Sequence, residues 1–583
     1  MHNIIEDLSE KFKVALLLAY PELNYEETEL PIEVVQSSQE KFGDYQCNTP
    51  MRLAKRLKLN PRQIAEGIVQ KVDAEPLIQK LDIAGPGFIN ITISPDYLSK
   101  TTQAMYDDPH LGIEPPRPRQ RVIVEFSSPN IAKELHVGHL RSTIIGESLA
   151  RVFEFLGHDV IRLNHIGDWG TAFGMLIAYL KEKHPEILTG KQETDLTHLV
   201  EWYKASKCRF DENQEFKKKS QLEVVALQGG DPDSLKAWNI ICDISRKAYN
   251  EIYDLLDVTL KERGESFYNP MIPELIEDLE ERNQITISDG AKCIFLPEFK
   301  NREGNPMPLM IQKSDGGFGY DTTDMAAMRH RVEMENADRI IVITDAGQSQ
   351  HFQMIHSASV KAGYIDPKKV RFDHVPFGLV LGPDGKKFRT RSGETERLVD
   401  LLFNAVEKAK STMHERNPEM PEQELKAIAT ALGIGAVKYA DLSSHRTSDY
   451  TFSYDRMLRF DGNTAAFLMY AYVRIAGIKR KIKVNIEDIR KNNMIKLEHY
   501  SELALGLHLL RFVEALEQVS SELLPNRLTD YLYTLAEKFN AFYRDCQVEG
   551  SPQMGSRLLL CEITARTMKQ GLHLLGVETV ERM

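Results

Sequence analysis

Two short stretches of the chain carry residue types suited to phosphate chemistry. The first, Ser127-Ser-Pro-Asn-Ile-Ala-Lys-Glu-Leu-His-Val-Gly-His139, sets His136 and His139 three residues apart around Gly138. At that spacing two imidazoles can share one side of a helical turn. Gly138 has no Cβ, so a nucleobase or ribose can approach the backbone there. The second stretch, Gly378-Leu-Val-Leu-Gly-Pro-Asp-Gly-Lys-Lys-Phe-Arg-Thr-Arg-Ser-Gly393, crowds Lys386, Lys387, Arg389 and Arg391 among glycines. Such a loop can close over a polyphosphate. Each has a plainer reading: histidines can cap a helix, and a basic loop can be a solvated hairpin. A metal reading of the histidines is weakest, because no His-Glu-x-x-His pattern or cysteine partner accompanies them.

The surrounding pattern tips the balance toward a nucleotide. Arg121-Val-Ile-Val-Glu-Phe126 has strand composition, and Val137 to Phe155 places Leu140, Ile144, Leu149, Val152 and Phe155 near one helical face. Gly157 is a helix stop, and Asp159-Val-Ile-Arg-Leu163 is a second strand. This is a right-handed parallel βαβ unit, with the histidines at the carboxyl end of its first strand. Ligands bind there, and the free N–H groups of a helix start favour phosphate. The α/β alternation resumes near Met310-Ile-Gln312, with a helix around Thr322 to Met334, a strand at Arg339 to Ile343, a helix near 349–362 and a strand at Arg371 to Val375. Between the halves, about 174–290, runs a polar, helix-prone stretch read as an insertion.

Residues 1–115 read as a small α/β domain, with Ile5, Leu8, Phe12, Ala15 and Leu16 at helical spacing and strands at Pro31 to Val35 and Phe88 to Ile93. Pro115-Pro-Arg-Pro118 is a linker. Beyond about 450 the pattern is helical, with amphipathic segments at Ala465 to Ile478, Leu503 to Val519 and Leu528 to Tyr543. The expected fold class is multidomain α/β plus all-α. It has three parts: an N-terminal α/β domain (1–115), a Rossmann-type parallel-sheet domain with an insertion (116–450), and a C-terminal helical bundle (451–583).

Composition narrows the classes further. At 42% apolar and 27% charged residues over 583 positions, wholesale disorder is excluded. The six cysteines (47, 208, 242, 293, 546, 561) form no C-x-x-C pair, which argues against a zinc ribbon or disulfide scaffold and fits a reducing cytoplasm. The apolar run Val14 to Tyr20 is far shorter than the roughly 20 residues of a bilayer span. Glu6 and Asp7 before it lack the basic start of a signal peptide. A net charge of −12 alone discourages a nucleic-acid partner. The acidity is not uniform, however: residues 455–583 hold 18 Lys and Arg against 16 Asp and Glu.

The two stretches resemble the HIGH and KMSKS signatures of class I aminoacyl-tRNA synthetases. Val124 to Gly146 and Asn164-His-Ile-Gly-Asp-Trp-Gly-Thr-Ala-Phe-Gly174 resemble the arginyl-tRNA synthetases specifically. Phe452-Ser-Tyr-Asp-Arg-Met-Leu458, Asn463-Thr-Ala-Ala-Phe467 and the terminal Val580-Glu-Arg-Met583 look like the eukaryotic cytosolic type, which some bacteria also carry. The resemblance implies an arginine–tRNA ligase acting in two steps. Arginine and ATP form arginyl-adenylate and pyrophosphate, and the terminal ribose of tRNA(Arg) then takes the arginyl group. Partners are tRNA(Arg), L-arginine and ATP with Mg²⁺, in a monomer with no zinc and no membrane attachment.

By resemblance, His136, Gly138 and His139 bind ATP, with His139 also beside the amino acid. Lys387-Phe-Arg-Thr-Arg391 keeps the first lysine of KMSKS and has Thr390 at the second. Family members with that lapse carry a lysine just before HIGH, here Lys133, which becomes the main cation for the α-phosphate, assisted by Lys386, Lys387 and Arg389. A guanidinium, planar with five donors, needs carboxylates in its plane. Tyr320 and Asp324, four apart, match the family's guanidinium-reading pair, and Glu265 is the second carboxylate. Ser128, Asn130 and Gln348 match positions that hold the α-amino and carboxylate end, with Glu125 helping. Without the family, Tyr320, Asp324 and Gln348 read as surface or helix-cap residues.

For tRNA, Asn463, Phe467, Tyr470, Tyr472 and Arg474 are expected at the anticodon loop, with Met583 nearby and Phe42 to Asn48 near the D-loop. Bases stack on aromatics while cations meet the backbone. Aromatics at helical spacing are also core residues, so some of Phe467, Tyr470 and Tyr472 are expected to be buried. Two alternatives stand beside this reading: another class I synthetase, and a catalytically inactive synthetase-like RNA-binding protein.

Overall fold

A computed structural model describes residues 3–25, 30–189, 192–301, 303–388 and 396–583. The N-terminal unit is a four-stranded antiparallel sheet in the order 34–36, 45–47, 88–93, 78–84. Its first helix, Ile4–Ala19, starts where the Asn3 side chain accepts from the Ile5 N–H, and it buries Ile4, Leu8, Phe12, Ala15 and Leu16. The expected strand at 31–35 contracts to Val34–Gln36.

The parallel sheet runs 371–377, 339–345, 121–125, 159–164, 261–262, with every neighbouring pair parallel. Successive strands go one way from Arg121–Glu125 and then the other, so the strand order reverses beside it. That reversal places a ligand crevice at the carboxyl ends of Arg121–Glu125 and Arg339–Asp345. Val122, Ile123 and Val124 are fully buried, as a central parallel strand requires.

Two expectations change here. Lys261–Glu262, inside the stretch read as an insertion, belongs to the parallel sheet. Pro306–Gln312, read as its resumption, instead pairs antiparallel with Ala291–Lys300 in a separate three-stranded sheet. Alternation marks a strand without saying which sheet it joins.

The helix Val137–Phe155 carries far more than one apolar face. It is buried around most of its circumference, polar residues Arg141, Ser142, Glu147 and Arg151 included. It lies between the sheet and helices Glu422–Leu442, Phe512–Glu522 and Met554–Leu574. A Cβ at Gly146 would fall 2.1 Å from Phe126 Cγ, so only glycine lets helix and strand approach so closely.

The tail is helical, but the expected helix at 503–519 breaks into Tyr500–Leu510 and Phe512–Glu522. At the break, Arg511 reaches the N-terminal unit, donating to Asp44 O at 2.7 Å and lying over the Tyr45 ring. Among the described residues, no helix is long and apolar enough to cross a membrane.

Candidate active site

The chain leaves strand Arg121–Glu125 through an unusual backbone: Ser127, Ser128 and Ala132 all have left-handed φ values, +67°, +46° and +59°. Each costs roughly 1–2 kcal/mol for a residue with a Cβ. Side-chain hydrogen bonds hold the loop there. Ser127 N–H donates to Ser142 Oγ at 3.0 Å, Ser128 N–H to Asn164 Oδ1 at 2.9 Å, and Ala132 N–H to Ser245 Oγ at 3.1 Å. The Tyr253 and Ser127 hydroxyls share a 2.8 Å bond, and Tyr249 Oη donates to the carbonyls of Asn130 and Lys133 at 2.7 and 2.6 Å. Ser245, Tyr249 and Tyr253 are four residues apart on helix Pro232–Leu255, so one helical face meets the loop. Sequence reasoning missed these three; their spacing within a polar helix was the available signal.

His136 is the N-cap of helix Val137–Phe155. Its Nδ1 accepts from Gly138 N–H at 3.0 Å, and His139 Nδ1 accepts from His136 N–H at 3.1 Å. The capping and nucleotide readings are therefore compatible. A neutral imidazole whose Nδ1 accepts must carry its proton on Nε2. Each ring thus has an Nε2–H donor left for a ligand. Burial, then the charges of Lys387 and Lys133, lower the His136 pKa. Burial, His136 and Lys133 push His139 down to about 3, so it stays neutral. Gly138 has a different use from the one expected: a Cβ would sit 2.9 Å from His136 Cε1, so glycine makes room for the capping ring itself.

The lysine-rich loop is anchored on both sides of this cap. Val380–Leu381 pairs with Tyr450–Thr451, and Leu381 bridges to Lys387. Past the loop, Arg397 bridges to His136, and Leu398 N–H donates to Leu135 O at 2.8 Å. Lys133, Lys386 and Lys387 are exposed. Arg389, expected to assist, lies outside the described residues, as do Thr390 and Arg391.

Beside the loop sits a carboxylate and imidazole cluster. Asp324, on helix Tyr320–Glu333, accepts from His351 Nε2 at 2.6 Å and lies 3.6 Å from His165 Nε2. His351 Nδ1 lies 3.3 Å from Asp321, and its ring meets Tyr320 edge to face. Burial works against the Asp324 charge, but the His351 hydrogen bond and the His165, His351 and Arg331 charges outweigh it and lower its pKa. Burial likewise opposes the His351 charge, and hydrogen bonds to Asp321 and Asp324 overcome it, raising His351 to about 9. Burial, then Asp324 and Asp168, push Glu265 up to about 7.

Asp168 presents Glu265: its carboxylate accepts from Ser266 N–H and Oγ at 2.8 and 2.6 Å. Gly264 admits that carboxylate, since a Cβ there would lie 2.3 Å from Asp168 Oδ2. Ser128 joins the cluster to the loop, its Oγ accepting from His165 N–H at 3.2 Å. Gln348 ends the turn after strand Arg339–Asp345, donating to Asp345 Oδ2 at 3.1 Å. Tyr320 is 66% exposed, and Asn130 is also exposed. Glu125 lies 2.6 Å from Arg331 Nη2 with both side chains buried. His165 and Asp168 lie in the Asn164–Gly174 motif but were given no role from sequence, and His351 was not singled out.

The expected tRNA residues divide by exposure. Tyr470 and Arg474 are exposed, with the Arg474 guanidinium 5.2 Å from the Tyr470 ring centroid, and Phe467 is half-buried against Tyr533. Tyr472 is 6% exposed and donates to Glu581 at 2.8 Å, so it is a core aromatic and not a base-stacking surface. Asn463 Oδ1 accepts from Tyr439, and Met583 packs on the bundle core.

Three family models match in chain order. They are the arginyl tRNA synthetase N terminal domain over residues 3–93, the class I tRNA synthetase (R) catalytic domain over 101–454, and the DALR anticodon binding domain over 468–583. The arginine–tRNA ligase of Protochlamydia amoebophila is 62% identical, and that of Trichodesmium erythraeum 51%, each over the full length of both chains. The crystal structure of arginyl-tRNA synthetase from Plasmodium falciparum superposes with a TM-score of 0.88 at 35% identity, covering 100% of each chain. The two sequence relatives are bacterial, and they do not support the eukaryotic cytosolic type expected from the tail motifs. With a catalytic-domain match over most of its length, full-length relatives and a superposable crystal structure, the chain belongs to the class I arginyl-tRNA synthetase family.

Proposed function

We infer that the chain is an arginine–tRNA ligase, and the observation that carries the reading is that two chemistries meet where Ser128 and His165 join the signature loop to the Asp324 cluster. Two Nε2–H donors and a set of lysines stand at the strand ends. Beside them, burial, then the nearby Asp324 and Asp168 carboxylates, push Glu265 up to about 7. Like-charged carboxylates held together call for a cation between them, and a guanidinium fits.

In the first step an arginine carboxylate oxygen attacks the α-phosphorus of ATP and pyrophosphate leaves. His136 and His139 donate to the phosphates, and Lys133, with Lys386, Lys387 and Arg389, offsets the charge growing on their oxygens. Mg²⁺ enters with the ATP phosphates. Among the described residues, no group of three or more His, Cys, Asp or Glu side chains could hold a metal ion. Tyr320, Asp324 and Glu265 receive the guanidinium, while Ser128, Asn130 and Gln348 face the α-amino and carboxylate end. In the second step a ribose hydroxyl of tRNA(Arg) attacks the arginyl carbonyl and AMP leaves. The contribution of the enzyme is alignment and electrostatics, with no covalent intermediate.

The domain reading follows: 1–115 approaches the tRNA elbow, 116–450 catalyses, and 451–583 reads the anticodon through Asn463, Phe467, Tyr470, Arg474 and Met583. The protein works as a cytoplasmic monomer. Charging of tRNA(Arg) with each of the twenty amino acids is the test. Charging with arginine alone is expected; charging with another amino acid would assign a different class I synthetase, and tRNA binding without charging an inactive relative.

A further inference from the structure

A buried hydroxyl that the chemistry above does not use, that of Tyr249, sits under the loop that presents Lys133. Tyr249 is 2% exposed, and its phenol proton lies between two carbonyl oxygens, Asn130 O at 2.7 Å and Lys133 O at 2.6 Å. We propose that Tyr249 is a positioning residue for the activation step, holding the signature loop so that Lys133 faces the nucleotide phosphates. The proposal rests on the reading of Lys133 as a phosphate-facing cation.

The backbone geometry explains why a hydroxyl is needed at that point. The loop carries left-handed residues at 127, 128 and 132, a conformation it does not adopt without outside support. Turning the Asn130 and Lys133 carbonyls toward helix Pro232–Leu255 takes two partial negative charges away from the side where phosphate binds. Because a trans peptide sets N–H opposite C=O, the same turn aims the Ile131 N–H at Gly167 O, 3.1 Å away, and points the Glu134 N–H away from the helix. Buried carbonyls without a donor are costly. If the phenol were absent, the loop would rotate them toward water, and Lys133 would turn with its own carbonyl. The Lys133 side chain is exposed, so the path of its backbone governs which way it leaves the loop. Ser245, one turn earlier, holds the Ala132 N–H, and Tyr253, one turn later, holds Ser127, so the support is a continuous face.

The experiment is ATP–pyrophosphate exchange by the full chain with arginine and tRNA(Arg), comparing Tyr249→Phe, Lys133→Ala and the double variant. Tyr249→Phe keeps the ring and is expected to lower kcat about tenfold, the worth of one well-placed hydrogen bond, with KM for arginine within about twofold of the wild type. Because Tyr249 acts through Lys133, adding Tyr249→Phe to Lys133→Ala is expected to cost less than about twofold more. A wild-type kcat for Tyr249→Phe alongside a loss for Lys133→Ala overturns the role of Tyr249 alone. A wild-type kcat for Lys133→Ala overturns the reading of Lys133 on which it stands. Losses that multiply in the double variant show that Tyr249 acts elsewhere and also overturn the proposal. If Tyr249→Phe fails to fold, Ser245→Ala takes its place in the same cycle, with a loss of about threefold that Lys133→Ala absorbs; a multiplicative loss or none would count against the proposal.

Discussion

Arg141 and Asp441 form an ion pair, Nε to Oδ2 at 3.0 Å, with side chains 1% and 0% exposed. Arg141 belongs to helix Val137–Phe155, which begins at the histidine cap, and Asp441 to helix Glu422–Leu442. The same guanidinium donates through Nη1 to Gly378 O at 2.8 Å and Ser448 O at 3.1 Å. Gly378 opens the lysine-rich stretch, so one buried side chain sets the histidine helix against the root of the cationic loop.

Removing one partner from such a pair leaves a buried charge uncompensated, a cost of about 3–5 kcal/mol. Asp441→Leu is therefore expected to lower the urea midpoint of the catalytic region strongly. Arg141→Met with Asp441→Leu should recover much of that loss, because it removes both charges. Equal midpoints for Asp441→Leu and wild type would show that the pair carries little.

The raised pKa of Glu265 gives arginine binding a pH dependence whose sign is fixed. A guanidinium binds the ionised carboxylate, so below about 7 binding must displace a proton from Glu265. KM for arginine is expected to rise about tenfold from pH 8 to pH 6, and Glu265→Gln should flatten that rise while raising KM throughout. For the unliganded chain the sign reverses. The folded pKa exceeds the ordinary 4.5, so the folded state holds more protons, and the contribution of Glu265 to stability falls as pH rises from 4.5 to 7. Parallel KM profiles for wild type and Glu265→Gln would remove Glu265 from the site.

His139 stays neutral because burial and its cationic neighbours hold its pKa near 3. No limb in the kcat profile between pH 5 and 8 should therefore disappear in His139→Asn, although kcat itself should fall about 10²-fold with the lost donor. Loss of a limb in that range would mean that His139 titrates during catalysis.

Asp324 is charged and held by His351, so it should reject citrulline, whose neutral ureido group leaves the carboxylate unpaired. Discrimination in kcat/KM of about 10⁴ or more is expected for the wild type. Asp324→Asn should narrow it, chiefly by losing arginine. An unchanged ratio would place the specificity elsewhere.

Much of this arrangement was legible in the sequence, and what escaped has physical causes. His136 and His139 stood out because a strand, a glycine-containing turn and a helix frame them locally. Strand Lys261–Glu262 escaped because two residues give no period, and Pro306–Gln312 was assigned to the wrong sheet because alternation carries no partner. Ser245, Tyr249 and Tyr253 act on a loop more than a hundred residues earlier, a relation set by packing alone. The partners of Glu125 and Tyr472, Arg331 and Glu581, could not be read from sequence because each lies more than a hundred residues away in the chain. Overall acidity misled in the same way, because it averages over a slightly basic tail; tRNA is expected along that tail and the lysine-rich loop, and its binding should weaken with salt.

The central claim is that one crevice activates arginine on ATP through the Lys133, His136 and His139 constellation. ATP–pyrophosphate exchange, run with each amino acid in the presence and absence of tRNA(Arg), tests it most directly. Exchange is predicted with arginine alone, only when tRNA(Arg) is present, and to fall by orders of magnitude in Lys133→Ala combined with His139→Ala. Exchange driven by another amino acid, or arginine exchange undiminished in that double variant, would contradict the account.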